Sequence, residues 1–482
     1  MKVARGPIDD EYRDAGRSVV VIAARVLVLS EVAATILDCV PEQAEVDVED
    51  VVHAVISAHG LPPGAADARD AITEQLHDLA AHNLVTLDDE FYEETRLTDE
   101  AVLRLLHGAV GATTLAPAVA RRWHLGAAVP TSAFYAIAKR HRVISQLASH
   151  DEHLAFPPAL RARLRASHVE MVAANAPVAD DLIQVLDLLE ARGVRVLVVK
   201  GFALAAQAWG DHLVRGYGDL DLLVHPDDLD ETALCLVHAR WQVPPSYPAP
   251  GTSWGWQQFM RTHHELTLVR SSTSIDLHWH LGPVRRALPD FNTLWSRRAT
   301  IQIASHDVAT LGPFDAFAHS ASHSARDGWR WVRGIADVHR LMCMPSTWAD
   351  MNRELSRDQL TTIGVAARLL GLPPGSHPIT RHAATMVDDR TLRRALRAQL
   401  GQEHPGQRTT GLPMLTTFRA VVSLGKSGAS LEDLIRRLIA DLLPPWALAR
   451  CTSSRATVAL SQAAFHRAHE FVGRRVGRAA RR

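Results

Sequence analysis

The hydrophobic pattern along this chain changes period several times, and the changes divide it into segments. Residues 1–16 are polar and read as loose. The apolar run SVVVIAARVLVL, Ser18 to Leu29, leads into Ser30-Glu31, a helix start, and an apolar-periodic helix through Cys39. VEDVVHAVISAHG predicts a second helix with Gly60 as its stop. Pro62-Pro63-Gly64 marks a turn. ADARDAITEQLHDLAAHN then predicts a third helix, with Ile72, Leu76, Leu79 and Ala80 at helical spacing, and Asn83–Leu87 reads as a strand. Residues 99–192 read as helices separated by loops. In the last of them Leu182, Val185, Leu186 and Leu189 share one face, and Gly193 ends it.

From 194 the period shortens. Val194–Val199 is continuously apolar, as strands buried on both faces are, and Leu220–Val224 is a second such strand with a short helix between. Pro226 opens a helix through Asp230, Ala233, Leu236 and Val237. Residues 242–256 are rich in Pro, Gly, Ser and Trp and read as loop. Glu265–Val269 and Ser274–His280 read as neighbouring strands across the turn Arg270-Ser271-Ser272-Thr273. From 285 the signals are helical again. The tail 450–482 is arginine-rich with Glu470 as its one acidic residue, and reads as a solvated terminus or a docking surface for an anionic partner. The expected domains are therefore 17–98, a helical region 99–192, an α/β core 193–284, a helical C-terminal domain 285–449 and the basic tail 450–482.

Composition narrows the class. The chain is 47% hydrophobic and 22% charged, enough for ordinary cores. A net charge of −1 argues against a protein that coats nucleic acid. Lysine occurs at positions 2, 139, 200 and 426 only, which makes Lys200 at the end of a strand worth notice. Cys39, Cys235, Cys343 and Cys451 lie far apart, so neither a disulfide framework nor a structural zinc site is expected. The N-terminus has no secretory pattern and no run reaches the ~18 apolar residues of a membrane span. A cytoplasmic protein is the expectation.

The candidate chemistry lies in the α/β segment. Side chains alternate across a strand, so Asp219 and Asp221 emerge on one face while Leu220 and Leu222 point to the other. By the same alternation Ile275, Leu277 and Trp279 face the core and Asp276, His278 and His280 oppose them. If the two strands are neighbours, Asp276 joins the pair. Three carboxylates brought together repel without a cation. Magnesium takes oxygen ligands, and two such ions about 3.5–4 Å apart serve nucleotidyl transfer from a nucleoside triphosphate. A lone D-x-D is a weak signal. Here a buried-type strand carries it, a glycine turn precedes it, and a third strand carboxylate follows.

The run KGFALAAQAW, then Arg215 and GYGDLDLLV, then HHELTLV and IDLHWHL, resembles a bacterial family of largely uncharacterised nucleotidyltransferases with a polymerase-β-like catalytic fold. The likeness covers roughly residues 125–345. It implies a mixed-sheet core, Asp219, Asp221 and Asp276 as metal-binding and catalytic residues, Mg2+ (or Mn2+) as cofactor and a nucleoside triphosphate as substrate. It sets Gly201 where the phosphates approach the backbone. The wider superfamily usually has Gly-Ser or Gly-Gly at this turn; Lys200-Gly201-Phe202 stands here instead, so Lys200 and Arg215 become candidates for holding the triphosphate. The bland reading of Arg215 is that it pairs with a carboxylate and fixes its loop.

The histidines read more modestly. His263, His264, His278 and His280 lie near the proposed site, but strand histidines are more often hydrogen-bonded than metal-binding. His319 and His323, four apart, share a helix face. Trp329, Trp331, Arg333 and Asp337 read as helix packing, with an acceptor cleft as the alternative.

The front segment, strand, three helices, strand, has the outline of a winged helix. It resembles, loosely and by pattern alone, the small peptide chaperones of pyrroloquinoline-quinone biosynthesis and the leader-recognition modules of peptide-modifying enzymes. Those bind a peptide as an added strand. Its third helix carries Asp67, Asp70, Glu74 and Asp78 against one arginine, which disfavours reading of DNA. The whole is expected to be a multidomain α+β enzyme that moves a nucleoside monophosphate to an acceptor, with a ribosomally made peptide as one acceptor. The alternatives are a non-catalytic peptide-binding scaffold and a toxin–antitoxin-type nucleotidyltransferase acting on tRNA or protein.

Overall fold

A computed structural model describes residues 2–6, 8, 10–14, 17–22, 25–41, 44–60, 68–81, 84–88, 98–115, 123–124, 131–150, 154–216, 218–285, 288–401, 430–451, 453, 458 and 461–462. The Pro62–Gly64 turn and nearly all of the basic tail lie outside the described residues. The chain divides into two compact units, Met1–Thr98 with Ala127–Ala133, and Asp99–Gly126 with Phe134–Arg482.

The first unit begins with strands β1 (Lys2–Arg5), β2 (Asp10–Asp14), β3 (Arg17–Ile22) and β4 (Arg25–Leu29). Helix α1 (Glu31–Cys39), β5 (Val46–Asp47), α2 (Val48–His59), α3 (Ala68–Ala81) and β6 (Val85–Asp88) follow. The Ser30 hydroxyl caps α1 by accepting from the Ala33 amide at 3.1 Å, and Gly60 ends α2 at φ 75°. Ile36 and Leu37, Val51 and Val55, and Ile72, Leu76 and Leu79 bring one face of each helix to a common core. The first sixteen residues are not simply loose. β1 is the middle of a β5-β1-β6 sheet, and β2 is an edge of the antiparallel β2-β3-β4 meander. Val3 is the one fully buried side chain of KVAR, too little for a period-2 signal. The apolar run folds as the β3–β4 hairpin, and the returning strand β6 pairs with β1 rather than with that hairpin.

The second unit opens with α4 (Asp99–Thr114), β7 (Trp123–His124), α5 (Thr131–Arg140), α6 (Ile144–Ser149), β8 (Leu154–Ala155) and the long α7 (Pro158–Glu190). Then come β9 (Val196–Val199), α8 (Gly201–Trp209), β10 (Leu220–Val224), α9 (Leu229–His238), α10 (Trp254–Thr262), β11 (Glu265–Arg270) and β12 (Thr273–His278). After α11 (Phe291–Ser296) the strands β13 (Ala299–Ile303) and β14 (His306–Thr310) complete a six-stranded mixed sheet in the order β11-β12-β10-β9-β14-β13. The stretch beyond 285 is thus not purely helical, as its pattern suggested. β14 lies parallel to β9 and ties a C-terminal hairpin into the central sheet. Trp254 starts α10 inside a stretch read as loop, because the Ser253 hydroxyl caps it through the Trp256 amide at 3.2 Å. The rest is helical: α12 (Pro313–Arg326), α13 (Val332–Met342), α14 (Pro345–Ala349), α15 (Arg357–Leu370), α16 (Pro378–Met386), α17 (Asp389–Gln399), α18 (Leu431–Leu442) and α19 (Pro445–Leu448). Among the described residues no helix is long and apolar enough to cross a membrane.

The sheet has two unlike faces. On one, Val196, Val198, Leu220, Leu222, Leu266, Ile275 and Leu277 pack against Leu182, Val185 and Leu189 of α7 and against Trp256 and Phe259 of α10. Alternation puts Leu197, Val199 and Leu223 on the other, where Phe291, Leu294 and Leu311 cover only part of the surface. The carboxylates emerge on that incompletely covered face.

Candidate active site

β10 and β12 run parallel with Asp221 directly opposite Asp276. Asp219 sits on the turn just before β10. One carboxylate oxygen from each of Asp219, Asp221 and Asp276 lies within 4.8 Å of the others. Two strands in register therefore bring residues 55 positions apart to one point. Asp276 is half-buried and accepts from the Thr267 hydroxyl of β11 at 2.8 Å. Burial, with the charges of Asp219 and Asp221 beside it, pushes its carboxyl up to about 6 despite the Thr267 bond. The part of this push that comes from Asp219 and Asp221 is repulsion that an added cation would relieve.

Asp221 is 3% exposed and is met by two donors on the same oxygen. Lys200 Nζ lies 2.6 Å from Asp221 Oδ1 and His278 Nε2 lies 2.9 Å from it. Burial works to raise the Asp221 carboxyl, but the Lys200 ammonium and the His278 ring outweigh it and hold it well below the usual carboxylate range. A carboxylate only accepts, so the His278 proton sits on Nε2. His278 Nδ1 then faces Glu265 Oε2 at 3.5 Å, and His264 Nε2 approaches the same oxygen at 3.6 Å. Glu265 and Thr267 project onto the aspartate face because β11 pairs antiparallel, Glu265 opposite His278 and Thr267 opposite Asp276.

The Lys200-Gly201 turn is strained. Lys200 holds φ 53° and ψ −145°, a conformation that only glycine adopts freely and that costs on the order of 1–3 kcal/mol elsewhere. Gly201 follows at φ 37° and starts α8. Lys200 follows Val199, which lies opposite Asp221 across β9 and β10, and its ammonium reaches that carboxylate. Arg215 is engaged elsewhere. Its Nε donates to Asp337 Oδ2 at 2.9 Å, and Trp209 Nε1 donates to Asp337 Oδ1 at 3.0 Å. Asp337 of α13 is buried, so the pair pins the loop before β10. Arg333 joins it by donating to the Gly216 carbonyl oxygen; burial, and then Arg215, brings its guanidinium down to about 9. The packing reading of Trp329 also holds, since its Nε1 donates to Thr362 Oγ1 at 2.9 Å.

Sequence spacing left α12 unconnected to this site, yet its Ala316 packs with Val199 and Leu223 on the aspartate face of the sheet. His319 and His323 are depressed first by burial and next by the Lys200 ammonium, and His323 also senses Asp221 and Arg215. The spacing showed a shared helix face; only the tertiary fold shows what that face meets. His280 does not join the aspartates. β12 ends at His278, and the charges that reach His280 are Arg285, Arg436 and Asp433. Two hollows of about 330 and 210 Å3 share Trp279, His280 and Arg285 and contain none of the three aspartates. The chemistry, not either of these hollows, marks the site.

A pair of carboxylates at the start of one strand and a third on its parallel neighbour, near a glycine turn, is the arrangement expected of nucleotidyl transfer. The family model described as uncharacterised nucleotidyltransferase matches residues 128–370, half of the chain. The chain belongs to this family. As a nucleotidyltransferase-family enzyme it carries within the matched stretch all three aspartates, Lys200, Gly201, Arg215 and the α12 histidines. No curated protein and no solved structure matches the chain.

Proposed function

We propose that this nucleotidyltransferase moves a nucleoside monophosphate from a nucleoside triphosphate to an acceptor oxygen or nitrogen, with magnesium or manganese held by Asp219, Asp221 and Asp276. The observation that carries the reading is the convergence of three carboxylate oxygens within 4.8 Å on one sheet face. An all-oxygen donor set suits a hard divalent ion, and the part of the upward push on Asp276 that comes from Asp219 and Asp221 is what such an ion would relieve. When bound, the ions supply charge stabilisation for the attacking and leaving oxygens. The acceptor attacks the α-phosphorus, the bond to the β-phosphate oxygen breaks, and pyrophosphate leaves with the electron pair. Asp276, which completes the site, helps take the acceptor proton. Asp221 is kept ionised by Lys200 and His278, so it stays a ligand across the working pH range. Lys200 must release Asp221 Oδ1, or share it, as the ion and the phosphates arrive. Gly201 lets the triphosphate approach the start of α8.

The first unit is proposed to bind a peptide by strand addition, which would deliver a peptide acceptor. What supports this is the β2-β3-β4 meander, in which β4 has one strand neighbour among the described residues and so offers an edge. Incubation with α-labelled triphosphates and candidate peptides, read by mass spectrometry, tests the whole. A mass increase of one nucleotide with pyrophosphate release is expected, and its loss in Asp219→Asn and Asp221→Asn. A protein that acts as a non-catalytic scaffold would bind the peptide and give no adduct with any of the four bases.

A further inference from the structure

The proposed reaction expels pyrophosphate, the most negatively charged species it handles. The aspartates repel that group, Lys200 is drawn to Asp221, and Arg215 is tied to Asp337. Helix α12 supplies what is missing. His319, His323 and Arg326 stand at i, i+4 and i+7 and so line one face of the helix, while Phe314, Phe317, Ala318 and Ala321 bury the other. His323 keeps a third of its side chain open to solvent, with Nδ1 3.5 Å from Asp327 Oδ2. Arg326 Nη1 crosses the backbone at Gly282, 3.2 Å from where a β-carbon there would stand. It forms no ion pair within 4.0 Å among the described residues. Its charge reaches His264 and Glu265 of the β11 end, as that of Lys200 reaches His323.

From this placement we infer that His323 and Arg326, together with Lys200, form the subsite that holds the β- and γ-phosphates and the departing pyrophosphate. The assignment rests on the nucleotidyl-transfer reading and deepens it. The same face explains the electrostatics. Burial, and next the Lys200 and Arg326 cations, depress the imidazole of His323, with Asp221 opposing them and the Asp327 carboxylate 3.5 Å from its Nδ1. His323, Arg326 and Lys200 offer N–H donors that the oxygens of a polyphosphate can accept from. Arg326 supplies the planar two-pronged donor that phosphate oxygens favour.

The test uses the full chain with magnesium and three probes: inorganic pyrophosphate, an α,β-methylene triphosphate and a nucleoside monophosphate. Binding is read by calorimetry for wild type, His323→Ala and Arg326→Gln, each checked for an unchanged melting temperature. The variants are expected to lose roughly tenfold or more in affinity for pyrophosphate and triphosphate but less than about threefold for the monophosphate, as removal of one charge-assisted contact implies. Full pyrophosphate affinity in both variants, or an equal loss for the monophosphate, overturns the assignment. Failure of the wild type itself to bind the triphosphate with magnesium overturns the nucleotidyl-transfer reading and the subsite with it. Wild-type binding that Asp221→Asn abolishes and the α12 variants leave intact overturns the subsite alone.

Discussion

Asp221→Asn separates the structural role of this carboxylate from its chemical one. The substitution keeps the shape and removes the charge that holds Lys200 at 2.6 Å and His278 at 2.9 Å in a site where Asp221 is 3% exposed. Removing one partner of a buried ion pair costs about 3–5 kcal/mol. Two features reduce that here. Lys200 is 17% exposed and can turn to water, and the neutral amide in place of the carboxylate no longer repels Asp219 and Asp276. A net loss of roughly 2 kcal/mol remains. For a unit of this size that lowers the melting temperature by about 2–3 °C. The Asp221 carboxyl is depressed in the folded state, so its contribution is present above the unfolded value of about 3.9 and is lost only as pH falls below it. The gap between wild type and variant should therefore persist at pH 5, and widen there, because Asp276, at about 6, takes a proton and no longer repels Asp221. Scanning calorimetry measures this, with and without magnesium and a triphosphate. Wild type should gain stability from the ligand and the variant should gain none. A variant that melts within about 1 °C of wild type, or that the ligand stabilises equally, refutes the reasoning.

A β-carbon on Gly364 would stand 2.3 Å from the Ala383 carbonyl oxygen and 2.4 Å from Val387 Cγ2. Gly364→Ala must therefore part α15 from α16 and should cost about 2–4 kcal/mol, whereas Gly218→Ala meets nothing within 4 Å and should stay within ~0.5 kcal/mol in the same urea titration. His107, bonded to Gln399 Oε1 at 2.8 Å, and His339, bonded to the Gly371 carbonyl at 2.6 Å, are both brought down to about 4, chiefly by burial. Their unfolded forms bind protons first, so the unit should lose stability as pH falls from about 6.5 toward 4, by ~2 kcal/mol per histidine between pH 7 and 5. Equal midpoints of denaturant unfolding at pH 7 and pH 5 would contradict this.

The site was legible in the sequence wherever a local period decided it. Alternation set Asp219, Asp221 and Asp276 on one face, and the parallel register of β10 with β12 is what brings them together. Helix signals with caps, such as Ser30 for α1 and Gly60 for α2, gave their elements near the observed ends. Other elements were hidden because their signal is not local. ATIQI and HDVAT alternate only weakly, and they are strands because β14 finds the edge of β9. KVAR and DEYRD are short and mostly polar, and they are strands because β6 and β3 pair with them. His280 was placed with the aspartates by continuing the alternation, but β12 stops at His278. The partner of Arg215 could not be named from the sequence, since Asp337 lies 122 residues away on a different helix. The approach of α12 to the aspartate face is of the same kind, a product of tertiary packing between segments far apart in the chain.

The central claim is that Asp219, Asp221 and Asp276 jointly hold divalent metal against a triphosphate. Manganese titration followed by electron paramagnetic resonance, with a non-hydrolysable triphosphate present, tests it most directly. The account predicts two ions per chain with spin coupling of neighbours about 3.5–4 Å apart, and loss of both in a variant carrying Asp219→Asn, Asp221→Asn and Asp276→Asn. Manganese that stays free with wild type, or that binds the triple variant equally well, would contradict it.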